Sequence, residues 1–331
     1  MIEVIFTLDY EIYGDATGSL RQLILEPAES LMNLFEKWHY PLVVFVEVAE
    51  LERIYQEKSD PDIETVFNQI RELNSQGHEI ALHIHPQWYK ARYQNGQWKV
   101  NLSEYNLCTL PEERIREIVS DGIKFLRFIL RKSDYVPISF RAGNWLFQPT
   151  QPAARILCEY GIKIDSSVFK GGRFKEYGVD YRKVGRNGFF WRFWEDVAEP
   201  DPQGQMIEIP IYTSLVPFWE MLSRKRLQIE KKGREEGKRT GLFSKINNHL
   251  SLRYPKKLDF CRLTKTEIGE MLKEIRAVDW KSPSVLKPIV AIGHTKDLKD
   301  IDTVDYFLSI LNESGLKVAT FRSICEKLIN D

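Results

Sequence analysis

Long apolar runs are missing from this 331-residue chain. No segment approaches the roughly 20 consecutive apolar residues of a membrane-spanning helix. Net charge is missing too: 47 Lys and Arg balance 47 Asp and Glu, so nothing global points to nucleic acid or an anionic membrane as partner. Cysteine is sparse, with Cys108, Cys158, Cys261 and Cys325 forming no C-x-x-C and no pair at zinc-ribbon spacing, a usage that fits a reducing compartment. No charged leader with an apolar core opens the chain. Met1 runs directly into Ile2-Glu3-Val4-Ile5-Phe6-Thr7-Leu8-Asp9, a strand pattern, and the expectation is a soluble cytoplasmic protein. There is no internal repeat and no low-complexity segment.

What is present is an alternation of short apolar runs with stretches of helical period. After the first strand, Glu29 to Trp38 carries Leu31, Leu34, Phe35 and Trp38 on one face, beginning near Pro27. A strand at Leu42 to Val46 follows, then a helix at Ile63 to Leu73 stopped by Gly77, then an apolar run ending in His83-Ile84-His85-Pro86. A surface connection from Trp88 to Leu110 leads to a helix at Pro111 to Leu130, a strand at Ile138 to Arg141, a helix at Gln151 to Tyr160 and a strand at Ile162 to Asp165. Strands at Ile289 to His294 and Leu316 to Thr320 flank a helix at Thr303 to Leu311. Continuous apolar strands alternating with helices predict a mainly parallel sheet covered on both faces. Seven or eight such units favour a closed or nearly closed α/β barrel in one domain over residues 1–331. An insertion at about 169–260 breaks the rhythm. Its first part reads as β-rich, with Ile207 to Ile211 returning towards the barrel. Its second, Arg224 to Lys245, is basic and reads as a solvated helix or loop, or as a contact for an anionic substrate.

Ionisable residues end five of the strands. Ile80, Leu82 and Ile84 alternate with Ala81, His83 and His85, so with a period of two both imidazoles share a face, close enough to hold one metal ion. The bland alternative is a pair of structural histidines. Asp9 and Glu11 have the same spacing at the end of the first strand, where acidic groups are expensive to bury unless paired or metal-bound; a solvated turn near Gly14-Asp15 is the alternative. Arg141, Asp165 and His294 close three further strands. Carboxyl ends of parallel strands are where such folds place their chemistry, and the convergence of these residues on one rim predicts an active site.

These motifs resemble those of polysaccharide deacetylases of the NodB-like superfamily, carbohydrate esterase family four and its relatives. Thr7-Leu8-Asp9-Tyr10-Glu11 is similar to the first motif, Gly77-His78-Glu79-Ile80-Ala81-Leu82-His83 to the G-H-E-I-G-x-H pattern, and Phe140-Arg141-Ala142-Gly143, Asp165 and His294 to the later ones. The resemblance spans the chain and implies a distorted (β/α)7–8 barrel with one divalent metal, commonly zinc, with cobalt, manganese or nickel as alternatives. It departs from the family at two positions. The second histidine of the usual H-x-x-x-H falls on Gln87, for which His85 substitutes, and Tyr10 stands where many members carry a metal-binding aspartate, for which Glu11 substitutes.

The implied activity is removal of an acetyl or other N-acyl group from an N-acetylated saccharide or saccharide precursor. Glu11, His83 and His85 would hold the metal. Asp9 would be the base, oriented by Arg141, and His294 the acid, with Asp165 fixing its tautomer. Asp9 and Glu11 are interchangeable at this point. Trp88, Trp145 and Trp191 would either stack on sugar rings or pack loops onto the barrel. Two rivals stand beside this reading. One is an amidohydrolase- or phosphoesterase-type barrel, which normally carries His-x-His on its first strand. The other is a catalytically degenerate member that binds carbohydrate.

Overall fold

The computed structural model describes residues 1–184, 189–217 and 253–330. In chain order it begins with β1 (Ile2–Tyr10), α1 (Glu26–Lys37), β2 (Val43–Glu47), α2 (Val48–Glu57), α3 (Ile63–Ser75) and β3 (Glu79–Ile84). A hairpin, β4 (Arg92–Gln94) and β5 (Gln97–Lys99), precedes α4 (Glu112–Leu130), β6 (Ser139–Ala142), α5 (Ala153–Glu159) and β7 (Ile164–Asp165). A small hairpin of β8 (Arg173–Phe174) and β9 (Val179–Asp180) leads to β10 (Trp191–Phe193), β11 (Met206–Glu208), β12 (Thr213–Pro217) and β13 (Arg253–Lys257). A helix at Lys265–Lys281, β14 (Lys287–His294), a helix at Ile301–Glu313, β15 (Lys317–Val318) and a helix at Phe321–Asn330 complete it. The basic stretch Arg224 to Lys245 lies outside the described residues.

Among the described residues nine strands form one sheet in the order β10-β11-β7-β6-β3-β2-β1-β14, with β15 also paired to β1. All pairings are parallel except β10 with β11. Parallel bridges from Ile211 to Phe169 and to Val290 join the β11 side back to β14, curling the sheet into the distorted barrel expected from sequence. Ile207 to Ile211 is the segment that makes this closure, as its apolar pattern indicated.

Strand parity separates two apolar clusters. Val4, Phe6, Leu8 and Tyr10 of β1 pack outward with the helices. Ile5, Val43, Phe45, Ala81, Ile164, Ile209, Val290 and Ile292 form a second, interior cluster. On β1, β3 and β14 the interior positions turn polar towards the carboxyl end: Ile5, Thr7, Asp9; Ala81, His83; Ile292, His294. An apolar plug thus lies beneath a polar rim, and Phe45 sits 4.2 Å beneath the Arg141 guanidinium.

The helix at 48–57 has no counterpart in the sequence expectations, because β2 passes into it without a connecting turn. Glu47, the last residue of β2, makes this possible: its carboxyl accepts from Glu50 N and caps α2. The same carboxyl accepts from His85 N at 2.6 Å, so one cap fixes both a helix start and the backbone of a site residue.

Candidate functional site

Register brings the rim residues together. Asp9 lies opposite His294 in the β1–β14 pair, His83 opposite Glu47 in β2–β3, and His83 opposite Arg141 in β3–β6. Two overlapping clusters result, Glu11 with His83 and His85, and Asp9 with Glu11 and His294, each with its ligand atoms within 4.8 Å of one another. All five residues are buried.

The first cluster has the donor set of a metal site. Glu11 Oε2 lies 3.4 Å from His83 Nε2 and 3.0 Å from His85 Nε2. His83 Nδ1 is 2.8 Å from the Arg141 carbonyl oxygen. That carbonyl can only accept, so Nδ1 holds the proton and Nε2 presents a lone pair. His83 Nε2 is buried with no hydrogen-bond partner among the described residues, an arrangement that a cation between it and Glu11 would satisfy. Behind His85, Gln87 Nε2 and Asn144 Nδ2 lie 3.1 and 3.3 Å from Nδ1, and Gln87 Oε1 is buried without a partner. Carboxamide oxygen and nitrogen are interchangeable in shape; with Oε1 turned to His85, Nδ1–H donates and Nε2 presents its lone pair to the same point. Gln87 is therefore placed as the support of His85, while His85 itself faces Glu11. Tyr10 points to the opposite face of β1, its hydroxyl donating to Gln69 Oε1 at 2.7 Å, and so has no place among these donors.

Close approach is built into the loop after β6. A Cβ on Gly143 would stand 2.6 Å from the Ile84 carbonyl oxygen and 2.8 Å from the His85 ring. Asn144 and Trp145 both take positive φ, 56° and 59°, an uncommon conformation for non-glycine residues that concentrates at functional sites.

The second cluster is an ion-pair system. Arg141 Nη1 binds Asp9 Oδ1, while its other nitrogens donate to Thr7 Oγ1 at 3.0 Å and to Ser166 O at 2.8 Å. His294 Nε2 lies 3.3 Å from Asp9 Oδ2. Burial pushes the Asp9 carboxyl up, but Arg141, then His294 and His83, outweigh it and hold Asp9 below the usual aspartate range. Glu11 is likewise pushed up by burial and held well below the ordinary glutamate value by Lys296, His85 and His83. Lys296 Nζ donates to Glu11 Oε1 at 2.8 Å and to the Ile12 carbonyl at 2.9 Å.

Three expectations need correction. Asp165 does not orient His294. It pairs in register with Phe140 and Glu208, whereas Ile164 pairs with Ser139 and Ile207. With a period of two, Asp165 therefore faces the helix side of the sheet, accepting from Ser167 N and Oγ at 3.0 and 2.7 Å. The carboxylate beside His294 Nδ1 is Asp297, at 4.0 Å. Trp88 is 1% exposed and packs edge-on against Trp98, out of a ligand's reach. Trp191 lies opposite Glu208 on the same outer face, its indole N–H given to Val197 O. Trp145, by contrast, stands 6.1 Å from His294 between ring centroids, with Lys257 Nζ 3.1 Å above its ring. Sequence reasoning missed Glu47, Glu50, Asn144, Lys296 and Asp297. Lys296 and Asp297 lie two and three residues after His294 and Asn144 follows the arginine motif, which is the signal that proximity offered.

No family model and no curated protein matches this chain. Solved structures do. A Mycobacterium smegmatis protein described as a polysaccharide deacetylase is 16% identical, covers 98% of this chain and 89% of its own, and superposes with a TM-score of 0.56. An allantoinase is 14% identical with the same coverage and a TM-score of 0.52. A Pseudomonas aeruginosa protein, also described as a polysaccharide deacetylase, is 15% identical over 98% and 90% of the two chains, with a TM-score of 0.52. The chain has the fold of the NodB-type polysaccharide deacetylases.

Proposed function

We propose that this protein is a metal-dependent hydrolase that removes an acetyl or related acyl group from the nitrogen of an N-acylated saccharide or saccharide precursor. The observation that carries the reading is the placement of an acceptor set, Glu11, His83 and His85, beside an ionised Asp9 and a histidine, all on one buried rim. Glu11, His83 and His85 would hold one divalent metal, zinc by the nitrogen-rich donor set, which when bound polarises the acyl carbonyl and acidifies water.

The chain's own residues supply the proton handling. Arg141 keeps Asp9 ionised and fixes its orientation, so Asp9 Oδ2 is the acceptor for the proton of the attacking water. His294 Nε2, on the same carboxylate oxygen, carries the proton delivered to the departing amine. Asp297 rather than Asp165 is the carboxylate on the Nδ1 side of that ring, 4.0 Å away. Trp145 packs against His294 at the edge of the site, with Lys257 over its ring.

The test is acetate release from N-acetylated saccharides by metal-loaded protein, alongside metal content. His294→Ala is expected to retain the metal and lose turnover by about 10²–10⁴-fold; loss of the metal with it would overturn the role given to His294. A second reading has its own observation. The Lys296 ammonium already compensates Glu11, which suits a metal-free member that binds carbohydrate without catalysis. Protein that takes up no metal and releases no acetate, yet binds saccharide, would establish that alternative.

A further inference from the structure

On the outside of the barrel α3 packs beside α4, and the groove between them holds a cavity of about 660 Å³, within the roughly 300–1,000 Å³ of small-molecule sites. It lies where α4 ends and the chain turns towards the amino end of β6, at the opposite end of that strand from Arg141. Its floor is aromatic. Phe67 of α3 meets Phe128 of α4 edge-on at 6.1 Å between ring centroids, and Phe125 stacks on Phe128 at 5.7 Å. Phe128 is nevertheless 51% exposed.

The walls are cationic in a chain with no net charge. Arg71, Lys124, Arg127, Arg131 and Lys132 line the cavity, and Glu64 is the one carboxylate beside them, with Ser133 as the remaining polar group. Glu64 belongs to the first turn of α3, about 10 Å along the helix axis from Arg71. Carbonyl groups hold part of the cluster in place: Arg71 donates to Ile129 O at 2.7 Å and Arg127 to Tyr135 O at 2.8 Å, and Arg71 and Lys132 also bond the carboxamides of Asn68 and Asn74. Lys124, on Asp121 at 3.0 Å, is alone among the five in having an ion pair with a described residue. The exposed Arg131 caps α4 in the left-handed conformation, φ 55°, where glycine is commoner. Burial, then Arg131 beside it, pull Arg71 below the ordinary arginine value in spite of Glu64, so two guanidinium groups repel each other across the groove. An anion between them turns that repulsion into two attractions. Guanidinium forks match phosphate oxygens in pairs, and the open Phe128 ring offers a face to an apolar or flat group on the same molecule.

We propose that this groove binds an organic phosphate, with its phosphoryl oxygens on Arg71, Arg127 and Arg131 and its apolar or aromatic part against Phe128. The site is independent of the hydrolase reading. A soluble nucleotide and an anionic lipid headgroup share this chemistry, and the test separates them. The full chain is titrated calorimetrically with ADP, with inorganic diphosphate and with adenosine, and is cosedimented with phosphatidylglycerol and phosphatidylcholine vesicles. ADP is expected to bind more tightly than diphosphate or adenosine. Arg131→Asn, which keeps a residue suited to positive φ, is expected to weaken ADP roughly 10-fold. If that variant does not fold, Lys132→Gln, expected to weaken ADP in the same direction, serves in its place. Binding to phosphatidylglycerol vesicles alone, lost in the same variants, supports the site and assigns it to a lipid headgroup. Binding of neither ADP nor phosphatidylglycerol overturns the proposal. So does binding that both substitutions leave unchanged, or diphosphate binding as tight as that of ADP.

Discussion

Buried carboxyl groups fall into two populations a few residues apart, and they behave oppositely. Asp9 and Glu11 lie within reach of Arg141, Lys296 and the histidines and are held below their ordinary values in spite of burial. Glu47 and Glu50, behind the same rim, accept hydrogen bonds only from backbone donors among the described residues. Burial, with Glu50 beside Glu47 and Glu11 beside Glu50, pushes both up, Glu50 to about 8. Burial and Asp165 likewise push Glu208 well up on the outer face. The lesson is that desolvation acts on every one of these groups and that compensation decides which keeps its charge. The carboxylates beside the proposed chemistry, Asp9 and Glu11 with Asp297 next to His294, are held low, while Glu47, Glu50 and Glu208 are pushed up.

The hardest blow to that contrast is removal of a compensating cation. Arg141→Met leaves Asp9 buried without its partner and is expected to cost about 3–5 kcal/mol in urea denaturation and to abolish turnover; a loss below 1 kcal/mol would mean Asp9 is not held ionised by Arg141. Next in size is the close approach at the β6 loop. Gly143→Ala drives a methyl into the Ile84 carbonyl and the His85 ring, and about 1–3 kcal/mol of stability together with weaker metal uptake is expected; unchanged uptake would show that His85 tolerates displacement.

Much of this arrangement was legible in sequence. The His83/His85 and Asp9/Glu11 spacings gave their faces correctly, because period two is a property of the strand itself, and the parallel barrel followed from apolar runs alternating with helices. Asp165 was placed on the wrong face because Ile162-Lys163-Ile164-Asp165 does not reveal which of its two faces is interior; only the register with β6 and β11 does. Trp88 and Trp191 failed for a similar reason, since an aromatic beyond a strand end packs inward or outward according to contacts distant in sequence. The helix at 48–57 was missed because its cap, Glu47, is also the end of a strand.

Two smaller effects sharpen the comparison. Gln87→Leu removes the support behind His85 and is expected to weaken metal affinity about 10–100-fold with stability nearly unchanged; equal affinity would place Gln87 outside the site's function. Glu50→Gln probes the neutral population. A carboxyl whose folded value is raised to about 8 from an ordinary 4.5 stabilises the fold below pH 4.5, and that contribution is lost as pH rises towards 8. In chelator-treated protein Glu50→Gln is therefore expected to lie within about 1 kcal/mol of the parent at pH 5 and to gain on it steadily up to pH 8. Parallel stability curves would show that Glu50 is ionised throughout.

The most direct test of the account is metal stoichiometry by elemental analysis of purified, metal-equilibrated protein and its His83→Ala variant. One equivalent of a divalent metal bound by the parent chain and lost from the variant is the expected result. A parent chain that binds none would leave Glu11 paired with Lys296 as the resting state of the site and would contradict the hydrolase.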